Sequence, residues 1–188
     1  MTRSASASTR PPSLPRRRTL KRGARLAQFR EQEHLRYLWA AYRKGWREHF
    51  SPDLDAAEFA EQALALVLKV YEGGGEVFVL EGESVLGRMP VGVVTMVYAI
   101  RPNQTPRAEP HVDWFPWATA RNKLEATLRL VLEINRNFLL VTTVRQGEER
   151  LLLHLIRYGV VRLAGKLNAW FVVEPRRAFL FEGVRGRE

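Results

Sequence analysis

Apolar positions along this chain recur in two periods, and the switches between them predict an order of elements. From Ala24 to Phe50, Leu26, Phe29, Leu35, Leu38, Trp39, Tyr42 and Trp46 fall at roughly three- and four-residue steps, predicting one amphipathic helix. Arg25, Arg30, Arg36, Arg43, Lys44 and Arg47 take much of its remaining surface. Ser51-Pro52-Asp53 ends that helix and caps another over 53–71, with Leu54, Ala57, Phe59, Leu64, Leu66, Leu68 and Val70 as its apolar positions. Gly73-Gly74-Gly75 stops it. A short strand follows over 76–81. A longer one covers 91–101, where Val91, Val93, Val94, Thr95, Val97 and Ile100 form a near-continuous run that predicts burial on both faces. Residues 102–110 read as a proline-rich loop, 111–117 as a strand, 119–136 as a helix with Leu124, Leu128, Val131, Leu132 and Ile134, and 138–144 as a strand. A helix over 148–158 and strands over 160–163, 169–173 and 178–182 complete the series. Strands joined by amphipathic helices predict an α/β core with some parallel pairing.

The first 23 residues do not share these periods. They are built from Ser, Thr, Pro and Arg without a single Asp or Glu, which predicts an arm that does not fold alone. Charge makes the arm more informative. Residues 1–50 hold 13 Lys+Arg against 3 acids, whereas 51–188 hold 17 of each, so the whole formal excess of +10 sits at one end. Arg16, Arg17, Arg18, Lys21 and Arg22 form the densest cluster, suited to phosphates of a nucleic acid or another polyanion. A solubilising tail and an organelle transit peptide are the other readings of the arm, the clustered prolines counting against the transit peptide. For the basic helix over 24–50 the readings are a membrane surface, nucleic acid, a partner, or packing on the domain behind it.

Composition removes several chemistries. Cysteine is absent, so disulfides, thiolate metal sites and thiol nucleophiles are excluded. His34, His49, His111 and His154 stand apart without metal-ligand spacing, and no metal is expected. No apolar run approaches the ~18 residues of a membrane span. A hydrophobic share of 46% over 188 residues supports one folded domain plus the arm.

The order of elements, together with Arg121-Asn122-Lys123-Leu124-Glu125-Ala126 and Arg157-Tyr158-Gly159-Val160-Val161-Arg162-Leu163-Ala164-Gly165, resembles the GNAT (Gcn5-related N-acetyltransferase) family. The resemblance covers about 50–183 and is strongest over 110–165. It implies a mixed central sheet flanked by helices, in which one strand splays open onto a helix. The loop between them carries Arg or Gln, two variable residues, Gly, one variable residue, and Gly or Ala. A Gly-aromatic turn follows the last helix, and Val160 stands where Phe is usual. The implied organisation is a basic arm over 1–23, a basic helix over 24–50, a GNAT-like domain over 51–183 and a tail over 184–188.

On that resemblance Arg121, Lys123 and Ala126 are the cofactor-binding candidates, and acetyl-CoA is the cofactor if the chain is active. Leu124 takes the first glycine position, where a side chain would intrude on the phosphates, and Glu125 adds like charge; on these grounds cofactor binding is not expected. Leu155 takes the place of a general-acid tyrosine, leaving Tyr158 and, on the preceding strand, Asp113 as catalytic candidates, with Glu109 nearby. Trp114-Phe115-Pro116-Trp117 reads either as core packing or as a partner surface, with Trp114 and Trp117 as anchors for a protein partner or a second copy. Two functions remain. One is a non-catalytic GNAT-like component, structural or nucleic-acid-associated through the arm, similar to tailed-phage virion proteins. The other is an active N-acetyltransferase with an atypical phosphate loop. The implied locations are a bacterial cytoplasm or a virion.

Overall fold

The computed structural model describes residues 24–85, 87–145, 150–167 and 178–184. The described strands are β1 (Arg25–Gln28), β2 (Glu76–Ser84), β3 (Gly87–Ala99), β4 (Arg107–Trp114), β5 (Leu139–Arg145), β6 (Val161–Leu167) and β7 (Ala178–Gly183). They form a seven-stranded mixed sheet in the order β1-β2-β3-β4-β5-β7-β6. Among these, β4 and β5 run parallel and every other neighbouring pair is antiparallel. The parallel pair is brief: Arg107 sits opposite Leu139 and Ala108 opposite Leu140, and beyond Ala108 the strands part.

Among the described residues four helices cover the sheet: α1 (Glu31–Arg43), α2 (Ala56–Glu72), α3 (Ala120–Asn137) and α4 (Arg150–Arg157). Leu130, Val131 and Ile134 of α3 and Leu152 and Leu155 of α4 pack with Val94, Met96 and Ala108 on one face. Leu38 and Tyr42 of α1 and Phe59 and Ala63 of α2 pack with Val77, Val79 and Val93 on the other. The arrangement is the α/β layering predicted from the sequence.

The N-terminal part departs from prediction. Residues 25–28 are an edge strand, not the start of a helix, because Arg25–Gln28 pairs antiparallel with Glu81–Phe78 and so occupies the open backbone groups of β2. The six-residue step from Phe29 to Leu35 also breaks the helical face. The helix itself begins at Glu31, where His34 Nδ1 accepts the Arg30 N–H at 2.8 Å; this buried histidine has a structural use. The apolar face of α1 packs on the domain, so packing is the reading the structure realises for this helix. Residues 107–110, read as loop, belong to β4. The helix α2 starts at Ala56 because Asp53 adopts a left-handed turn (φ +62°), while Asp55 and Glu58 form a reciprocal capping box. The strand read over 169–173 lies outside the described residues, as does the arm.

An aromatic cluster fixes the connection between α1 and α2. Phe59 is fully buried, with ring centres of Phe50, Tyr42 and Trp39 at 4.7, 5.1 and 5.3 Å. The Tyr42 hydroxyl donates to the Ser51 carbonyl at 3.0 Å and accepts the Leu54 N–H at 2.8 Å. A connection that carries Glu48 and His49 is thereby tied down over β4.

At the far end of α3, Asn135 Nδ2 donates to the Val160 and Val184 carbonyls at 3.1 and 3.4 Å, joining this helix to the chain at the ends of β6 and β7. A Cβ on Gly183 would lie 2.0 Å from Asn135 Oδ1. Gly183→Ala is therefore expected to lower stability by about 1–3 kcal/mol in urea unfolding; an unchanged midpoint would show that this clamp yields freely.

Candidate active site

The site begins with the parting of β4 from β5. Leu139 N–H donates to the Pro106 carbonyl at 2.8 Å on one side of β4, and Phe115 N–H donates to the Val91 carbonyl at 3.0 Å on the other. By alternation, the main-chain groups of residues 109, 111 and 113 face β3, and those of 110, 112 and 114 face the gap. Pro110 is tolerated inside the strand for this reason, since its missing N–H falls on the gap side. Val112 and Trp114 thus offer peptide N–H groups along an edge that β5 does not cover.

The turn over 115–119 that follows β4 is closed by its own bonds. Ala118 N–H donates to the Phe115 carbonyl at 2.9 Å, and Thr119 and Asn122 cap each other, with Asn122 N–H on Thr119 Oγ1 at 3.1 Å. Trp117 Nε1 donates to the Pro90 carbonyl at 2.7 Å, and Asn122 Nδ2 reaches the Glu83 carbonyl at 3.2 Å. The α3 N-terminus is rigidly seated, with the Ala120 and Arg121 N–H groups in its open first turn.

On the opposite face of β4, Asp113 accepts a hydrogen bond from His49 Nε2 at 3.2 Å. The pair comes from positions 64 residues apart. Burial raises the Asp113 carboxyl above its ordinary pKa; His49 opposes the rise and Glu48 adds to it. Ligand atoms of Glu48, His49 and Asp113 all lie within 4.8 Å of one another, a cluster no sequence spacing foretold. Behind Asp113 lies a cavity of about 410 Å³ between α2 and strands β2, β3 and β4, of a size that holds small ligands.

Solved structures of the same shape decide the fold. Spermidine N-acetyltransferase from Vibrio cholerae, in complex with CoA and spermine, superposes with a TM-score of 0.59 at 14% identity, over 87% of this chain and 96% of that one. The ribosomal L7/L12 alpha-N-protein acetyltransferase RimL, in complex with coenzyme A, gives 0.61 at 13% identity, over 85% and 93%. This chain has the GNAT fold. Neither a protein-family model nor a curated protein sequence matches it.

Within the GNAT fold, the gap beyond Ala108 is the splay implied by the sequence resemblance. The motif residues fall differently from expectation. Arg121–Ala126 lies wholly inside α3, and the turn in the loop position is Phe115–Thr119. Leu124 therefore packs against the α3-side core instead of crowding a phosphate loop, and Ala126 is fully buried there, out of reach of a ligand at the helix start. Arg121 is exposed and paired with Glu125 at 2.8 Å, which raises its pKa. Lys123 lies over the Trp114 ring at 5.9 Å. Glu109 is half-buried on β4, on the same face as Asp113 by alternation.

Tyr158 follows α4 at 60% exposure, and Leu155, to which the resemblance assigned the place of a general acid, is fully buried. Trp114 and Trp117 are half-buried against the two cores, which is the packing alternative for these rings. Arg16, Arg17, Arg18, Lys21 and Arg22 lie outside the described residues. Among the described residues no helix is long and apolar enough to cross a membrane. Sequence reasoning missed His49, Glu48 and Trp46, because only the folding of the α1–α2 connection over β4 brings them to Asp113.

Proposed function

We propose that the chain is an acyl-CoA-dependent N-acyltransferase with an atypical phosphate loop, acting on a primary amine at Asp113. The observation that carries this reading is the placement of Asp113. It stands on the splayed strand, half-buried, with a raised pKa and an imidazole holding its Oδ2. The gap beside it suits the extended arm of acetyl-CoA: the edge of β4 offers the peptide groups of 112 and 114. At the end of the gap, the first turn of α3 with the cations of Arg121 and Lys123 suits the phosphates. Pro116 removes one donor from the turn, so phosphate binding leans on those two side chains more than a glycine loop would require.

Bound acetyl-CoA supplies an activated thioester carbonyl. Asp113 takes the proton from the incoming ammonium so that the nitrogen lone pair is free, and His49 fixes the carboxylate that accepts it. Release of free thiol from acetyl-CoA, measured against a panel of primary amines, checks the reading. Time-dependent release that requires an amine is expected; release at the amine-free rate throughout would overturn it.

A second reading, a non-catalytic nucleic-acid-associated component of a phage particle or a cell, is favoured by Leu155 at the acid position and by the charge excess over 1–50. It predicts that deleting residues 1–23 leaves a folded domain with sharply reduced affinity for DNA or RNA. If about five of the deleted cations meet phosphates, log affinity of the full chain should fall against log salt with a slope of roughly −4 to −5 on duplex DNA. A truncated protein with unchanged affinity and slope would remove this reading's arm.

A further inference from the structure

We infer that the cavity behind Asp113 binds a monoamine with an apolar body, and that a polyamine is a poor ligand. The inference rests on the acyl-transfer reading only for what happens to the amine afterwards; the binding itself is argued from the cavity.

Two observations define the ligand. The wall is aliphatic, with Leu38, Val67, Val70, Val77 and Val93 among its residues, and it opens to solvent past Leu66 and Val97, which are 38% and 45% exposed. An apolar body entering there leaves water for an aliphatic surface, which favours binding in proportion to the apolar area buried. The anionic end is Asp113, whose side-chain partner among the described residues is His49, with Glu48 beside it. That end suits one ammonium. Trp46 lines the same cavity, is nine-tenths buried, and its indole N–H has no acceptor among the described residues. An ammonium only donates, so this N–H takes no acceptor from the charged end of the ligand, and the selectivity rests on the aliphatic wall and Asp113.

The rest of the wall explains the discrimination. Away from Asp113 the lining side chains are apolar apart from the Thr95 hydroxyl and Lys69, so a second ammonium held inside the cavity would meet no carboxylate and would face a like charge at Lys69. Spermidine and spermine carry such charges along their length. Hexylamine or phenethylamine carries one charge at one end and matches the single anionic end of the cavity.

Calorimetric titration of the full-length protein with hexylamine, phenethylamine and spermidine, with no acyl-CoA present, tests the inference. The monoamines are expected to bind at least tenfold more tightly than spermidine. Asp113→Asn should weaken them tenfold or more, and Val97→Phe, placed at the exposed mouth, should weaken them by narrowing the entrance while leaving the circular dichroism spectrum unchanged. Tighter binding of spermidine, or no monoamine binding at millimolar concentration, would overturn the inference. The two proposals separate cleanly: monoamine binding with no acetyl-CoA binding removes the transferase and keeps the cavity, whereas the reverse pattern removes the cavity and keeps the transferase.

Discussion

Asp113→Asn is expected to lower amine-dependent thiol release from acetyl-CoA by about 10²- to 10⁴-fold while the protein stays folded, the range spanned by loss of a positioned general base. The sign of the pH effects makes this prediction separable from a folding defect. Burial raises the carboxyl pKa, so the fold disfavours the ionised form. Stability from this group is fully present below the ordinary carboxylate pKa and is lost as pH rises through the raised value. Near neutral pH the wild-type protein therefore carries a disfavoured half-buried charge, and the Asn variant should be as stable or more stable. Activity has the opposite dependence, since the base works only when ionised: the wild-type rate should fall as pH drops through the raised pKa, and the residual rate of the variant should lack that limb. A variant that retains wild-type turnover would remove Asp113 from the reaction. One that loses activity together with its folded signal would leave the role to be read from the pH profile of the wild type.

Phe59→Ala is expected to have the largest effect on stability, about 3–5 kcal/mol in denaturant unfolding. The side chain is fully buried where α1, α2 and the following connection meet, with the rings of Phe50, Tyr42 and Trp39 all within 5.3 Å between centres. Against a total of roughly 5–15 kcal/mol for a domain, that loss is a large fraction. It also has a functional consequence, because the same cluster holds the connection that carries His49. In molecules that remain folded, amine binding should weaken before the sheet is affected. A loss below about 1 kcal/mol would mean that the cluster repacks and that His49 is positioned by something else.

The elements that could be read from the chain are those whose local pattern and tertiary environment agree. The helix expected over 119–136 is observed at Ala120–Asn137, since Thr119 supplies a cap and the apolar residues after it fall on one face. The strand expected over 138–144 is observed at Leu139–Arg145 for a similar reason. Residues 25–28 could not be read that way, because nothing local distinguishes Arg-Leu-Ala-Gln as a strand until β2 offers it an edge.

The candidate site was legible in part. Asp113 stood out as a carboxylate at a strand end, but its partner lies 64 residues away, in a stretch read as helix that the structure makes the connection between α1 and α2. Leu124 misled in the other direction. As a letter in a motif it blocks a phosphate loop; in the fold it is a partly buried residue one turn into α3 that packs against the core, and the connection from β4 to α3 is the preceding turn over 115–119.

Calorimetric titration of the intact protein with acetyl-CoA, paired with thermal unfolding, tests the central claim most directly. Acetyl-CoA is expected to bind at submillimolar concentration, less tightly at high salt because Arg121 and Lys123 act through charge. At about 100 times its dissociation constant it should stabilise the fold by ~2.7 kcal/mol. No heat of binding and no shift of the unfolding midpoint at millimolar acetyl-CoA would contradict the account.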